Sequence, residues 1–314
     1  MRRADRRGSV RIRPIEDDRE STAMGRWWMV SNVSVALLAA TVPASLRVLA
    51  QEESKELSIE LVDPKVLRVC ADPRNMPFSD EQGEGFENKL AELFAEKLGK
   101  GLAYAWYPQA TGFVRNTLGA HKCDVIMGFP QGNDIVQSTN PYYRTSYALV
   151  FKSGSGLDGA ETLSDPRLKG KRIGIVAGTP PSNYLAASGL MASAKPYPLV
   201  IDTRVDSSAL AMMKDLAGGV IDVGVLWGPM AGYYAKQPNP PLQVVPLTRE
   251  AGAPTLVYRI TMGVRFFDQE WKRSLNRMIE ENQPAINAIL LGFGVPLLDE
   301  NNQPIREESP SKRP

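Results

Sequence analysis

Two periods of apolar and polar positions alternate along most of the chain. Val66–Cys70 is a short apolar run broken by Asp72-Pro73, which predicts a strand. After a loop with Pro77, Gly83 and Gly85, Leu90, Leu93, Phe94 and Leu98 recur at the spacing of one helical face. They predict a helix from about Glu87 to Leu98, with Gly99 placed to end it. Leu102–Tyr107 predicts a second strand. Phe113, Val114, Thr117 and Leu118 mark a short helix, and Asp124–Gly128 a third strand. This β-α-β-α-β order implies a parallel sheet with helices on its faces. Tyr147–Phe151 is a further apolar strand that runs into Ser153-Gly154-Ser155-Gly156, read as a flexible crossing.

A second αβ series begins at Arg172–Ala177. Gly178-Thr179-Pro180-Pro181 opens a helix that Gly189 ends. Asp206 or Ser207 caps the next helix, whose inner face is expected at Leu210, Met213 and Leu216. Ile221–Trp227 reads as a strand, Pro229 stands in the first turn of the helix that follows, and Leu242–Leu247 completes the second lobe. Thr255–Arg265 returns as a strand with Leu256, Tyr258, Ile260 and Met262 on one face. Asp268 caps a helix carrying Trp271, Leu275, Met278 and Ile279, and Pro284 is expected to break it and start another. The fold class is therefore α/β, two-lobed, with parallel-rich sheets flanked by helices and a chain that runs lobe one, lobe two and back to lobe one. The expected boundaries are a leader at 1–50, a linker at 51–64 and the first part of lobe one at 65–152. Lobe two, with its hinge crossings, follows at 153–254, the return to lobe one at 255–300, and a disordered tail at 301–314.

The leader stands apart. Trp27 to Leu46 contains no charged residue, basic residues precede it, and Val48-Leu49-Ala50 supplies a small-residue cleavage pattern before Gln51. That is the layout of a cleavable secretory signal peptide, with Met24 as the expected start. A membrane anchor is the alternative, but Ser31, Asn32, Ser34, Thr41, Pro43 and Ser45 dilute the run. No later segment is long and apolar enough to span a bilayer, so no membrane association is expected after processing. The whole chain carries 37 Lys and Arg against 35 Asp and Glu; residues 1–50 hold nine and five of these, leaving 28 against 30. A near-neutral mature chain implies no nucleic-acid partner.

Cys70 and Cys123 are too few for a disulfide scaffold and too far apart for a zinc motif, and His121 is the only histidine. Little room remains for a Ser-His-Asp relay or a His-rich metal site. If the two cysteine-bearing strands are parallel neighbours, Cys70 ends one while Cys123 begins the other. An offset of about four residues at ~3.3 Å each exceeds the ~7 Å reach of a disulfide, so both thiols are expected free.

Several segments together resemble the type II periplasmic binding proteins. They are Leu67-Arg-Val-Cys-Ala-Asp-Pro with Pro77-Phe78 and Gly85-Phe86-Glu87, then Asn140-Pro141-Tyr142-Tyr143, the run from Leu168 to Thr179, and Gly219-Val-Ile-Asp-Val. A narrower likeness rests on Cys70-Ala-Asp-Pro-Arg-Asn75-Met-Pro-Phe-Ser79, Gly83-Glu-Gly-Phe-Glu-Asn88 and Cys123-Asp124. These resemble the accessory "J" proteins, of the MxaJ/XoxJ type, encoded beside PQQ-dependent methanol dehydrogenases. The resemblance implies a periplasmic, non-catalytic binding protein without a cofactor of its own. Its implied partners are the PQQ-dependent alcohol dehydrogenase and its cytochrome c. The alternative role on the same fold is a solute receptor feeding an importer. Amino-acid receptors of this fold carry an arginine before the Asn-Pro-Tyr segment and an acid after the Gly-Val-Ile-Asp-Val strand. Here Pro130-Gln131-Gly132-Asn133-Asp134 and Trp227-Gly228-Pro229 stand in those places, so tight binding of free amino acids is not expected.

Open α/β sheets place ligands at the carboxyl ends of their strands, which points to Asp72, Arg74, Asn75 and Phe78 after the first strand. Phe129 and Gln131 after the third strand, Tyr143 near the lobe junction and Trp227 after a lobe-two strand complete the expected cleft for a small ligand or a partner. The aromatic members serve equally well as packing between the lobes. Phe129, Tyr143 and Trp227 are also the expected aromatic anchors for a protein partner. Gly178-Thr179 offers backbone donors to an anion at a helix start, although Pro180 and Pro181 remove two of them; an ordinary helix entry is the competing reading. Asp80, Glu81, Glu84 and Glu87 lie close together but lack EF-hand spacing, so no metal site is expected. A dehydratase-like enzyme would need a placed general acid or base. Asp72 and Glu87 are the candidates, and Glu87 is better explained as holding the first loop. One expectation is checked on secreted material by mass spectrometry: the mature chain starts at Gln51, and an intact segment through Leu46 in the membrane fraction contradicts it.

Overall fold

The computed structural model describes residues 60–237, 242–251 and 254–306. The leader, residues 51–59 of the linker and residues 307–314 of the tail lie outside them. The first half is a five-strand arrangement. β4 (Gly101–Trp106), β1 (Val66–Ala71) and β5 (Val125–Pro130) run parallel in that spatial order, and β12 (Val257–Val264) joins antiparallel to β5. The first four residues of β7 (Tyr143–Phe151) pair antiparallel with β12, Tyr143 opposite Ile260 and Ser146 opposite Val257.

The last five residues of β7 belong to the second half, where Tyr147 pairs with Trp227 and Phe151 with Val223 of β10 (Val223–Trp227). β11 (Gln243–Pro246) covers the other edge of the same stretch. β8 (Ile173–Val176) and β9 (Ala194–Tyr197) continue in parallel from β10. The architecture is thus a mixed α/β fold in which one strand serves both halves.

Two helices close one face of the first sheet. α1 (Phe86–Leu98) buries Phe86, Leu90 and Phe94, and α6 (Gln269–Gly292) buries Trp271, Leu275 and Ile279, against Leu67, Val69, Met127 and Met262. The entry to α1 explains the glycine-rich block before it. A Cβ on Gly85 would lie 2.1 Å from the Phe78 carbonyl oxygen, so no side chain fits there. Asn88 Oδ1 accepts from the N–H groups of Gly85 and Asp80, at 3.1 and 3.0 Å, tying the helix start to the preceding loop.

In the second half, α4 (Ser208–Ala217) turns Ala209, Met212, Met213 and Leu216 inward. Leu210, expected inside, is half exposed. The helix is rotated because Met212 seats on the bare backbone of Gly174 and Gly224, where added Cβ atoms would meet it at 3.1 and 2.9 Å. Ser207 does cap this helix, accepting from Leu210 N.

Other expectations also change. Pro284 does not break α6, which runs unbroken through it. Pro284 and Glu280, whose carbonyl loses its partner, both face solvent, and buried residues on the opposite face hold the helix together. Asp268 gives α6 no side-chain cap; its carboxylate pairs with Arg265 at 2.7 Å instead. Glu60 takes the capping role and accepts from the N–H groups of Glu270 and Trp271. Part of the segment expected to be a disordered tail is built into the fold. Ile305 N donates to Leu297 O at 2.9 Å, and Asn302 Oδ1 accepts from Arg144 at 2.7 Å.

The cysteines are the clearest reversal: Cys70 and Cys123 form a disulfide, with Cα atoms 5.3 Å apart. Counting rungs along a strand fails here because Cys123 is not in one. The register sets Cys70 beside Ile126, but residues 121–124 turn, with His121 at φ 56°, and bring Cys123 back across the strand end. The bridge lies among Phe113, Leu118, Ile126 and Phe129 on the sheet face opposite α1. It closes a loop between residues 53 apart in sequence. Replacing both cysteines with alanine is therefore expected to lower unfolding stability by about 2–4 kcal/mol, read from urea denaturation.

Candidate functional site

A cavity of about 850 Å³ opens where the halves meet. Arg74, Asn75 and Gln109 line it from the first half. From the second come residues 198–201, 203 and 205–211, together with Thr179, Trp227 and Met230. That size lies within the range of small-molecule sites.

Asp72 follows β1 directly and sits beside the cavity at 2 % exposure. Its carboxylate accepts from Arg74 N at 2.9 Å, Gln109 N at 2.6 Å and the Thr203 hydroxyl at 2.9 and 3.1 Å. Thr203 belongs to the second half, so this acid latches the halves together. Nearby, Arg74 Nη1 donates to the Arg204 carbonyl at 2.7 Å, and the Tyr234 hydroxyl to the Met76 carbonyl at 3.0 Å. The short strands β2 (Arg74–Asn75) and β3 (Ser79–Asp80) hold this loop in shape, and Ser79 Oγ bonds back to the Asp72 carbonyl at 2.9 Å.

Four of the residues expected in the cleft line the cavity: Arg74, Asn75, Thr179 and Trp227. Asp72 is the latch beside it. The others point elsewhere. Phe78 stacks on Phe86 with ring centroids 5.1 Å apart, and Tyr143 lies edge-on to Phe86 in the main core. Phe129 packs around the disulfide with Ile126, on the face opposite Val125 and Met127, because the pairing with β12 shifts register between Ile126 and Phe129 and one extra residue of β5 breaks the alternation. Gln131 is exposed, beyond the end of β5. The aromatic reading as packing between halves holds for Trp227, whose ring meets Tyr147 at 5.2 Å and Tyr258 at 5.5 Å.

Glu87, in the first turn of α1, is 8 % exposed and does not line the cavity. Gly128 makes room for it: a Cβ there would lie 2.2 Å from Glu87 Oε1. Burial pushes its carboxyl up to about 8, with the Asp72 charge adding to the shift, so Glu87 is a neutral acid at pH 7. The Thr179 helix start has few donors to give. Thr179 N and Ser182 N bond to the carbonyls of Val176 and Thr179, and Pro180 and Pro181 have none. Among the described residues, no cluster of His, Cys, Asp and Glu could hold a metal ion, and no helix is long and apolar enough to cross a membrane.

Sequence reasoning missed Gln109, Thr203 and the run Leu199-Val200-Ile201. The signal available was an apolar run inside a segment with neither helical nor strand period.

Two α/β halves sharing strands, with a cavity at their junction, define the class of type II periplasmic-binding-protein folds. The protein MoxJ of Methylorubrum extorquens is 30% identical over 303 residues, covering 90% of this chain and 100% of that one. The crystal structure of the periplasmic binding protein XoxJ from Methylobacterium extorquens AM1 is 45% identical with a TM-score of 0.64, covering 74% of this chain and 100% of that one. MxaJ from Methlophaga aminisulfidivorans MPT is 27% identical at the same TM-score of 0.64 and the same coverages, 74% and 100%. No protein-family model matches. The chain belongs to the MxaJ/XoxJ family of periplasmic binding proteins, in which the MoxJ relatives also fall.

The neutral Glu87 carries a pH signature. An acid whose folded value is raised favours the fold below its unfolded value, and that stability is lost as pH rises towards 8. Glu87→Gln is therefore expected to match the wild type near pH 5 and to exceed it at pH 8–9 by on the order of a few kcal/mol. Thermal melts across that range check it; a constant difference contradicts the assignment.

Proposed function

We propose that this chain is a periplasmic, non-catalytic accessory of a PQQ-dependent methanol or alcohol dehydrogenase system, acting by recognition. The observation that carries the reading is the state of Asp72. The acid beside the cleft is turned to Thr203, Gln109 N and Arg74 N, so it is not placed to receive the ammonium of a zwitterion. No general acid or base faces the cavity from Glu87, which supports a role without catalysis. The periplasmic location is supported by the likeness to XoxJ, a periplasmic binding protein. The dehydrogenase and its cytochrome c enter through the likeness to the accessory proteins encoded beside such enzymes.

A solute receptor is the second reading, favoured by the enclosed cavity of about 850 Å³ between the halves. Partner and receptor roles separate in one experiment. Phe129 and Tyr143 are buried and cannot anchor a partner without unfolding. Phe266 and Phe267 are exposed in the turn between β12 and α6, Phe267 at 89 %. Aromatic anchors commonly dominate protein interfaces. Tagged wild type is expected to recover the quinoprotein from native periplasm, and Phe267→Ser to lower recovery about tenfold or more. Recovery of neither quinoprotein nor cytochrome, with a solute-induced thermal shift, promotes the receptor. Undiminished recovery by the variant keeps the partner and discards this surface.

A further inference from the structure

The cavity's lining is lopsided in two ways. Its apolar wall includes aliphatic side chains that reach water in the absence of a ligand: Leu199, Val200, Val205 and Leu210 are all more than half exposed, Val200 at 73 % and Val205 at 80 %. Isolated exposed aliphatic residues need no explanation, but four around one cavity make a continuous apolar surface of the kind that ligands or partners cover. Tyr147, Trp227 and Met230 extend it inward.

The charges lining the cavity are unequal. Arg74 and Lys214 are cationic, and Asp206 is the only carboxylate. Asp206 Oδ1 already accepts from Ser207 N at 2.7 Å, at the start of α4. Arg74 gives one N–H to the Arg204 carbonyl and pairs with no carboxylate, since the neighbouring Asp72 is engaged by Thr203, Gln109 N and the Arg74 backbone. The acid beside Lys214, Asp215, is held by Lys195 and Tyr197. Asn75 donates its amide to Gln109 Oε1 at 2.8 Å, which leaves the Gln109 amide N–H groups to face the cavity. The polar groups here are thus chiefly donors and cations, set against an aliphatic and aromatic wall.

We infer that this cavity binds an organic acid with an extended apolar body and a single carboxylate, the head group held by Arg74 and the chain lying against the wall formed by residues 199–210. The inference rests on the proposed recognition role of the cleft, and it gives that cleft a ligand class. A guanidinium can grip a carboxylate through two parallel N–H donors, which sets the acid apart from an alcohol of equal length. An amine of equal length, or the ammonium of a zwitterionic amino acid, meets two cations against the single carboxylate of Asp206, which already accepts from Ser207 N.

Isothermal titration with decanoate, 1-decanol and decylammonium, each below its micellar concentration, tests the inference on the full mature protein. Decanoate is expected to bind at least tenfold more tightly than either of the others. Arg74→Gln is expected to weaken decanoate about tenfold or more, the usual effect of losing a charge-assisted hydrogen bond. Because Arg74 also touches Arg204, Lys214→Gln and Leu210→Asp serve as independent variants on the exposed face of α4. The first is expected to weaken decanoate while leaving 1-decanol unchanged, and the second to weaken both. Equal affinity for the three probes overturns the inference, as does failure of all three to bind the wild type. Neither result bears on recovery of the dehydrogenase, which is read separately through Phe267.

Discussion

Strand β7 carries the mechanical constraint on which the rest depends. Its first four residues are hydrogen-bonded to β12 in one half and its last five to β10 and β11 in the other, so the halves share a continuous ladder. α5 (Gly228–Ala235) reinforces the crossing. A Cβ on Gly228 would lie 2.3 Å from the Ser146 carbonyl, and one on Gly232 would lie 1.8 Å from that of Gly294. Backbone therefore meets backbone on this side of the junction, and Thr145 Oγ1 adds a bond to Pro296 O at 2.9 Å. On the other side the halves are held by Thr203 on Asp72, Arg74 on Arg204 and Tyr234 on Met76. Isolated bonds of this kind contribute about 0.5–3 kcal/mol each, less than a strand ladder with packed backbone. The shared ladder and packed backbone on the β7 side thus join the halves more extensively than the separate bonds on the Asp72 side.

The two carboxyl groups beneath the cleft illustrate how environment separates like residues. Asp72 receives hydrogen bonds from three residues, while Glu87 is pushed up to about 8 by burial and by Asp72's charge. One acid works as a charged latch between halves, and the other fills the space left open by Gly128 as a neutral side chain. Neither lines the cavity: Asp72 is turned to Thr203, Gln109 N and Arg74 N, and Glu87 lies behind Gly128.

Elements governed by local pattern were legible in the chain. The α1 face, the parallel β1 and β5 and the Ser207 cap all follow from spacing and from the residues at element ends. What failed depends on tertiary context. Leu210 faces outward because Met212 fits two glycines on other strands, and α6 passes Pro284 because the opposite face is buried. The disulfide escaped because strand spacing was applied to a cysteine in a turn. Phe129 and Tyr143 lie in β5 and β7, where a one-residue difference decides the face, and the register shift between Ile126 and Phe129 leaves no mark in the sequence pattern. The latch residue Thr203 sits in a segment without period, where pattern gives no position at all.

The placement of the exposed apolar groups bears on how one small fold can serve two recognition tasks. Val200 and Val205 belong to the second half and surround the cavity, whereas Phe266 and Phe267 stand in the turn between β12 and α6 of the first. The first group sits beside Thr203 and Arg204, which hold the halves together, so whatever binds there acts on the latch. The second group adjoins Arg265, whose guanidinium is paired with Asp124 and Asp268 in the rigid base of the first sheet. The two places are joined through β7, through α5 packed on the Ser146 and Gly294 carbonyls, and through the bonds of Thr203 to Asp72, Arg74 to Arg204 and Tyr234 to Met76.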